Sequence, residues 1–183
     1  GTPMYGGMCT SEYTQSLLNL SESANKSEGV KLTTVFLGNE SLIQRGRNTI
    51  AHHFMNLPDA THLLFIDADI KFRVEDVVKM IQADKSLIIG PVALKGYEWE
   101  EIRQAAIDGE DDIQRTGGVF NINKLPGVDM IDENEPFEIE HGGNAFMMIR
   151  RDCFETLKPH TPIYTNGGRS LPDGVEIKDY FRV

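Results

Sequence analysis

Apolar residues come along this chain either in short continuous blocks or at near-helical spacing, and the two patterns alternate. Thr10 or Ser11 can cap a helix with Leu17, Leu18 and Ala24 on one side, closed by Gly29. The β-branched run KLTTVFL (31–37) predicts a strand. Gly38-Asn39 marks a turn, and a second helix opens at Ser41. It carries Ile43, Ile50, Ala51 and Phe54, with Pro58-Asp59 beyond its end. A strand over 63–66 follows, then a helix with Val74, Val77, Val78 and Ile81 at i, i+3, i+4 and i+7. Glu75 and Asp76 suit the positive end of that helix dipole. SLIIGPVAL reads as one apolar strand, and Trp99, Ile102 and Ala106 predict a helix closing near Gly109, with Trp99 in the core. From 108 to 140 the periodicity fades into acidic, Gly/Pro-punctuated loops with room for a short hairpin. NAFMMIRRDCFETL then predicts a buried strand and a short helix capped by Asp152.

Strands that are apolar on both faces, alternating with helices, imply an α/β domain. The expected architecture is a mainly parallel, Rossmann-like central sheet with helices on both faces. A length of 183 residues suits one domain. GTPMYGGM opens on turn residues with no strand ahead of it, and DYFRV closes without a helix stop. The expectation is a single domain that is a fragment of a longer polypeptide with further domains.

Composition narrows the partners. The chain is 40% hydrophobic and 25% charged, with a net charge of -10. That sign opposes a nucleic-acid partner, which calls for a basic face. No apolar run approaches the roughly 20 residues of a membrane span, and no signal peptide is visible. Cys9 and Cys153 stand far apart, without partners at metal spacing. Free thiols in a reducing compartment, hence a cytoplasmic location, are expected.

The chemistry concentrates in HLLFIDADIKF, where an apolar strand runs into Asp67 and Asp69. Residues i and i+2 of an extended chain project to one side, and ligands of open α/β sheets gather where strands end. Burying an ionised carboxylate costs several kcal/mol unless a cation or strong hydrogen bonds offset it. Paired hard oxygens suit Mg²⁺ or Mn²⁺ bridged to substrate phosphates. The plainer alternative is a pair of strand-end aspartates that form a turn or cap the next helix.

Four stretches, taken in order, resemble the nucleotide-sugar glycosyltransferases of the GT-A fold, and in particular the glycosyltransferase domains of large algal (chlorella) virus proteins. They are TPMYGG (2–7), QRGRNTIAHHF (44–54), the D-x-D strand itself and HGGNAFMMIRRDCFETL (141–157). Together they span nearly the whole chain; the D-x-D alone is unspecific. The resemblance implies a donor-binding half over about 1–95 and an acceptor-side half over about 96–183. It implies a UDP-sugar donor, a Mn²⁺ or Mg²⁺ cofactor, and a glycan or glycoprotein acceptor. A role in viral glycoprotein glycan synthesis would place the protein in the host cytoplasm.

Carried onto this chain, the resemblance makes Asp69 the direct metal ligand, with Asp67 on the metal or the ribose hydroxyls and His141 a third ligand or sugar contact. Thr2, Pro3 and Tyr5 would hold the nucleoside. Of Arg45 and Arg47, one would pair with Asp67 and the other reach a phosphate or the base. Asn48 suits a ribose or carboxylate contact, Lys95 the leaving diphosphate, and Gly142-Gly143 the close approach of the sugar. Tyr97 and Trp99 are candidates for stacking on an acceptor. Family members place an acidic motif late in the domain. Here the late acids are Asp173, Glu176 and Asp179, without a Glu-Asp motif. Asp179 is the candidate base, unless the base lies beyond Val183. Two rivals share parts of the pattern: a non-catalytic nucleotide-sugar-binding domain, and a haloacid-dehalogenase-type phosphatase. The phosphatase expects its D-x-D near the domain start, whereas two helix-bearing units precede it here.

Overall fold

The computed structural model describes residues 1–111, 113, 116–127, 135–167 and 170–182. These form two compact units, Gly1–Gly90 with Asn144–Val183, and Pro91–Gly143. In the first unit, β1 (Thr2–Met4) pairs in parallel with β2 (Phe36–Gly38). Backbone bonds from Gly1 to Leu64 and from Ile66 to Gly1 tie the start of β1 to β3 (His62–Ile66). Between them run α1 (Ser11–Lys26), capped by the Thr10 side chain, and α2 (Ile43–Met55). After β3 come α3 (Val74–Gln82) and β4 (Leu87–Ile89).

The expected mainly parallel GT-A-type sheet is not what the chain forms. The largest sheet among the described residues has the order β3–β9–β4, and both of its pairings are antiparallel; β9 is Phe146–Arg150. The β1–β2 pair is the one parallel pairing among the described residues. A strand apolar on both faces signals that it is covered on both faces, and says nothing of its direction. β9 occupies the middle of its sheet with Phe146, Met147, Met148 and Ile149 all buried. It runs antiparallel to both β3 and β4, to which the chain returns after residues 91–143.

The core joins Leu37 of β2, Ile50, Ala51 and Phe54 of α2, Leu63 and Phe65 of β3, and Met147 and Ile149 of β9. Phe154 of α5 (Arg151–Leu157) completes it. Of the expected stripe on α3, Val77 is buried with Met80, whereas Val78 and Ile81 face solvent. Arg151, at the start of α5, donates to Ala60 O at 2.6 Å and Phe54 O at 3.0 Å, and also to Leu57 O. It thereby caps the carboxyl end of α2, with its guanidinium 4.6 Å from the Phe54 ring.

Gly90 follows β4 where there is no room for a side chain. A Cβ there would lie 2.3 Å from Cδ1 of Phe146, whose ring stacks on Phe72 at 5.7 Å. Gly90→Ala is expected to cost about 1–3 kcal/mol, as overpacking of a filled core does. Thermal denaturation checks this against Gly96→Ala, where nothing lies within 4 Å and a change within about 0.5 kcal/mol is expected.

In the second unit, β5 (Ala93–Tyr97) pairs antiparallel with β6 (Gly118–Phe120), and β7 (Ile122–Lys124) pairs antiparallel with β8 (Ile139–Gly142). The helix α4 (Trp99–Asp108) ends on the left-handed Gly109. SLIIGPVAL is thus two strands, broken at Gly90-Pro91 because proline brings no N–H to a ladder. In the first unit the chain ends in the antiparallel pair β10 (Ile163–Thr165) and β11 (Glu176–Lys178).

Candidate functional site

The loops that leave β1, β2 and β3 meet along one edge of the first unit. Thr10 N–H donates to Ala68 O at 2.9 Å, and Asn39 N–H donates to Met4 O at 3.2 Å. The D-x-D segment, the Tyr5–Gly7 turn and the start of α2 therefore lie close together. Tyr5 is 80% exposed there, on a turn that needs positive φ at Gly6 and Gly7. Pro3 is half-buried on β1. The Thr2 side chain turns inward instead, where its hydroxyl and that of Tyr13 are 2.6 Å apart.

Asp67 follows the last residue of β3, and its N–H donates to Ala145 O at 2.8 Å. Its carboxylate accepts from Nη2 of Arg47 at 2.9 Å, and the same Nη2 donates to Asn144 O at 3.1 Å. Arg47 is only 2% exposed, against 28% for the Asp67 side chain. Its guanidinium lies 5.7 Å from the Phe65 ring, and its buried Nε–H has no partner among the described residues. Burial raises the Asp67 pKa above the ordinary aspartate value; Arg47 pulls it down, and the charge of Asp69 pushes it up. Burial likewise lowers the Arg47 pKa, against the pull of Asp67. Asp69 is exposed, and its charge reaches Asp67. Of the D-x-D pair, Asp67 is the desolvated carboxylate, and Asp69 follows it in a turn closed by Ile70 N–H on Asp67 O at 3.1 Å.

Arg45 goes elsewhere. Its Nε and Nη2 donate to the two oxygens of Glu40 at 2.6 and 2.8 Å. Asn48, 2% exposed, donates from Nδ2 to Asp179 Oδ1 at 2.7 Å and accepts the Phe181 N–H at 2.9 Å. The candidate base is therefore held by an amide that also anchors the C-terminal segment to α2. Asp173 and Glu176 are exposed.

Lys95, His141, Gly142 and Gly143 belong to the second unit. Lys95 lies on β5, and His141 and Gly142 lie on β8; all three are exposed. At Gly143 the space of a Cβ is filled by the Asn121 side chain, whose Nδ2 would be 2.0 Å away. Asn121 Oδ1 in turn accepts the Val92 N–H at 2.9 Å. The missing side chain at Gly143 thus has a reason within the unit's own packing. Tyr97 and Trp99 are 65% and 72% exposed with ring centroids 5.7 Å apart, so Trp99 is at the surface and not in the core.

Asp67 and Asp69 offer hard oxygen donors of the kind a divalent cation takes, its remaining ligands coming from water and substrate phosphates. Among the described residues no three His, Cys, Asp or Glu side chains form a metal-holding group. In the first unit Glu40, Asn144 and Tyr164 also contribute, and no motif in the sequence marks them. Asn144 acts through its carbonyl, which leaves no mark on residue identity.

No protein-family model matches the chain, and no curated protein matches it. Among solved structures it is similar to the crystal structure of A197 from STIV, at 16% identity and a TM-score of 0.48. That likeness covers 84% of this chain and 65% of the other, so the chain spans just under two thirds of that structure's length. At this level the likeness carries no argument about function. No helix of the described residues is long and apolar enough to cross a membrane.

Proposed function

We propose that this chain is a metal-dependent glycosyltransferase that moves a hexosyl unit from a nucleoside-diphosphate sugar, UDP-linked in the first instance, to a hydroxyl acceptor on a glycan or glycoprotein. The observation that carries the reading is the pair Asp67 and Asp69 at the end of a buried strand, with Asp67 desolvated, raised in pKa and braced by a buried arginine. Carboxylates perturbed by burial beside a specific charge partner cluster at functional sites. The resemblance of the four sequence stretches supplies the reaction class.

Asp69 and the outward side of Asp67 would hold Mn²⁺ or Mg²⁺. When bound, that ion supplies Lewis-acid stabilisation of charge on the departing diphosphate. Arg47 fixes the Asp67 rotamer through its shared Nη2, and Pro3 and Tyr5 flank the position of the nucleoside. Thr2 contributes its backbone, its hydroxyl being occupied by Tyr13. For Lys95, His141, Gly142 and Gly143, roles on the donor-sugar side rest on the resemblance alone. One observation favours a second reading, a non-catalytic nucleotide-sugar-binding domain: the candidate base Asp179 is already engaged by Asn48.

Nucleotide release from UDP- and GDP-sugars, with Mn²⁺ and with EDTA, tests the proposal. Metal-dependent release that drops at least about a hundredfold in Asp69→Asn is the expected result; release that survives that substitution sinks it. Tight UDP binding without turnover would favour the second reading. Protons compete with the cation for Asp67, whose pKa is raised. Mn²⁺ affinity should therefore begin to fall on acidification at a pH above the ordinary aspartate range, as calorimetry in a pH series would show.

A further inference from the structure

The second unit carries most of the chain's negative charge, together with a strip of uncovered aromatic rings. Residues 91–143 hold 13 Asp and Glu against 4 Lys and Arg, in a chain whose net charge is -10. The exposed rings of Tyr97 and Trp99 are joined by that of Phe120, which is 50% exposed. Local geometry sets the three side by side. Tyr97 stands opposite Gly118 in the antiparallel β5–β6 pair, and opposed residues of such a pair leave the sheet on one face. A Cβ on Gly118 would lie 3.6 Å from Cε2 of Phe120, so the Phe120 ring rests over Gly118 on that same face. The Glu98 N–H donates to Gly117 O at 3.0 Å. This bond carries the pairing one residue past Tyr97 and delivers Trp99 beside it at the start of α4.

Adjacent rings left in water forgo the burial that stabilises a fold, and contiguous apolar patches with a polar rim mark interaction surfaces. Charge selects the partner. A negative unit repels nucleic acid, an anionic membrane surface and a second copy of itself. It attracts a cationic segment, and a guanidinium or ammonium group is also what the open face of Trp or Tyr holds through the ring quadrupole. The rim supplies carboxylates, with Glu98 and Glu101 both exposed. Glu100 is engaged by Arg103 Nε at 3.1 Å, and Lys95 on β5 is an opposing cation.

We infer that the strip formed by Tyr97, Trp99 and Phe120 is a docking surface for an extended, arginine-bearing segment of another protein. Arginine suits it better than lysine, because a flat guanidinium stacks on a ring as well as being attracted to it. The surrounding acidic charge draws the segment in, and the rings hold it in place. The inference rests on the second unit alone and not on the transferase reading.

Trp99 is the chain's one tryptophan, so its emission reports on this surface directly. The whole chain is titrated at low salt with a capped octapeptide of alternating glycine and arginine, and in parallel with the glutamate counterpart. A saturable change in emission is expected with the arginine peptide only, and it should weaken about tenfold in about 0.5 M salt. Tyr97→Ala should weaken binding about fivefold, the size of an exposed cation–π contact. Glu98→Gln, which removes charge and no packing, should weaken it about twofold. Both side chains face solvent, so circular dichroism should find both variants folded. Four outcomes overturn the inference. The arginine peptide gives no saturable change, or the glutamate peptide matches it. Tyr97→Ala binds as tightly as the wild type, which would reduce the effect to diffuse charge. Methyl galactoside, or concentrating the chain alone, reproduces the change, which would assign the strip to a sugar or to a second copy.

Discussion

Replacing Arg47 by methionine is expected to lower the unfolding free energy by about 3 kcal/mol at neutral pH, near the lower end of what breaking a buried ion pair costs. The lower end applies because Asp67 keeps 28% of its side chain in water, and because the variant also relieves the burial of a guanidinium whose Nε–H has no partner among the described residues. The loss has a definite pH signature. The folded-state pKa of Asp67 is already raised above its unfolded value, and Arg47 is the influence holding it down. Without Arg47 it rises further. The stability deficit should then be complete above that pKa and shrink as pH falls through it towards the unfolded value, since the native state takes up its proton first. Urea unfolding of wild type and variant across a pH series measures this. Arg47→Met/Asp67→Asn should recover most of the loss, because replacing both partners leaves no stranded charge. An equal, pH-independent loss in the single and double variants would show that Arg47 contributes packing alone.

That Arg47 and not Arg45 takes Asp67 could have been read from the chain. Arg47, Ile50, Ala51 and Phe54 stand at i, i+3, i+4 and i+7, so Arg47 sits on the stripe that α2 buries. Arg45, two residues away, comes off the other side of the helix and finds Glu40. The D-x-D pair was legible only in part: the cost of a buried charge singles out Asp67, but Ala68 and Asp69 lie in a turn closed by Ile70 N–H on Asp67 O at 3.1 Å, so the strand geometry that would set both carboxylates on one side stops at Ile66. Strand direction was not legible. FMMIR has the same pattern whichever way it runs, and its direction beside β3 and β4 is set by tertiary pairing that no local pattern records. Nor does spacing say whether a helix face has anything to pack upon. Trp99 stands on an apolar period with Ile102 and Ala106, and yet it is exposed. The Asn121 side chain that fills the space over Gly143 comes from 22 residues earlier, where no local rule looks.

Asn48 provides the sharpest separation between a structural and a chemical role for Asp179. Its amide donates to Asp179 at 2.7 Å and accepts from Phe181 N–H at 2.9 Å. Phe181 in turn packs edge-on against Phe65 at 5.3 Å. Asn48→Asp keeps the acceptor for Phe181 but turns the donor into a second acceptor, so two carboxylates face each other at hydrogen-bond distance. At neutral pH this is expected to cost about 3 kcal/mol, the loss of a charge-assisted bond plus repulsion at a buried position. The pair binds one proton more tightly when folded than when unfolded. Stability is therefore present below the pair's apparent folded pKa and is lost as pH rises through it. Asn48→Ala removes both bonds and should show a comparable deficit without that pH dependence. Hydrogen exchange resolves where the damage falls, with faster exchange expected first in β11 and at Phe181, because this amide fastens that segment to α2. If Asn48→Asp instead leaves stability and exchange unchanged, the Asn48–Asp179 bond contributes little in solution. Asp179 would then stand ready to accept a proton from an acceptor hydroxyl, and the catalytic reading would gain the base it now lacks.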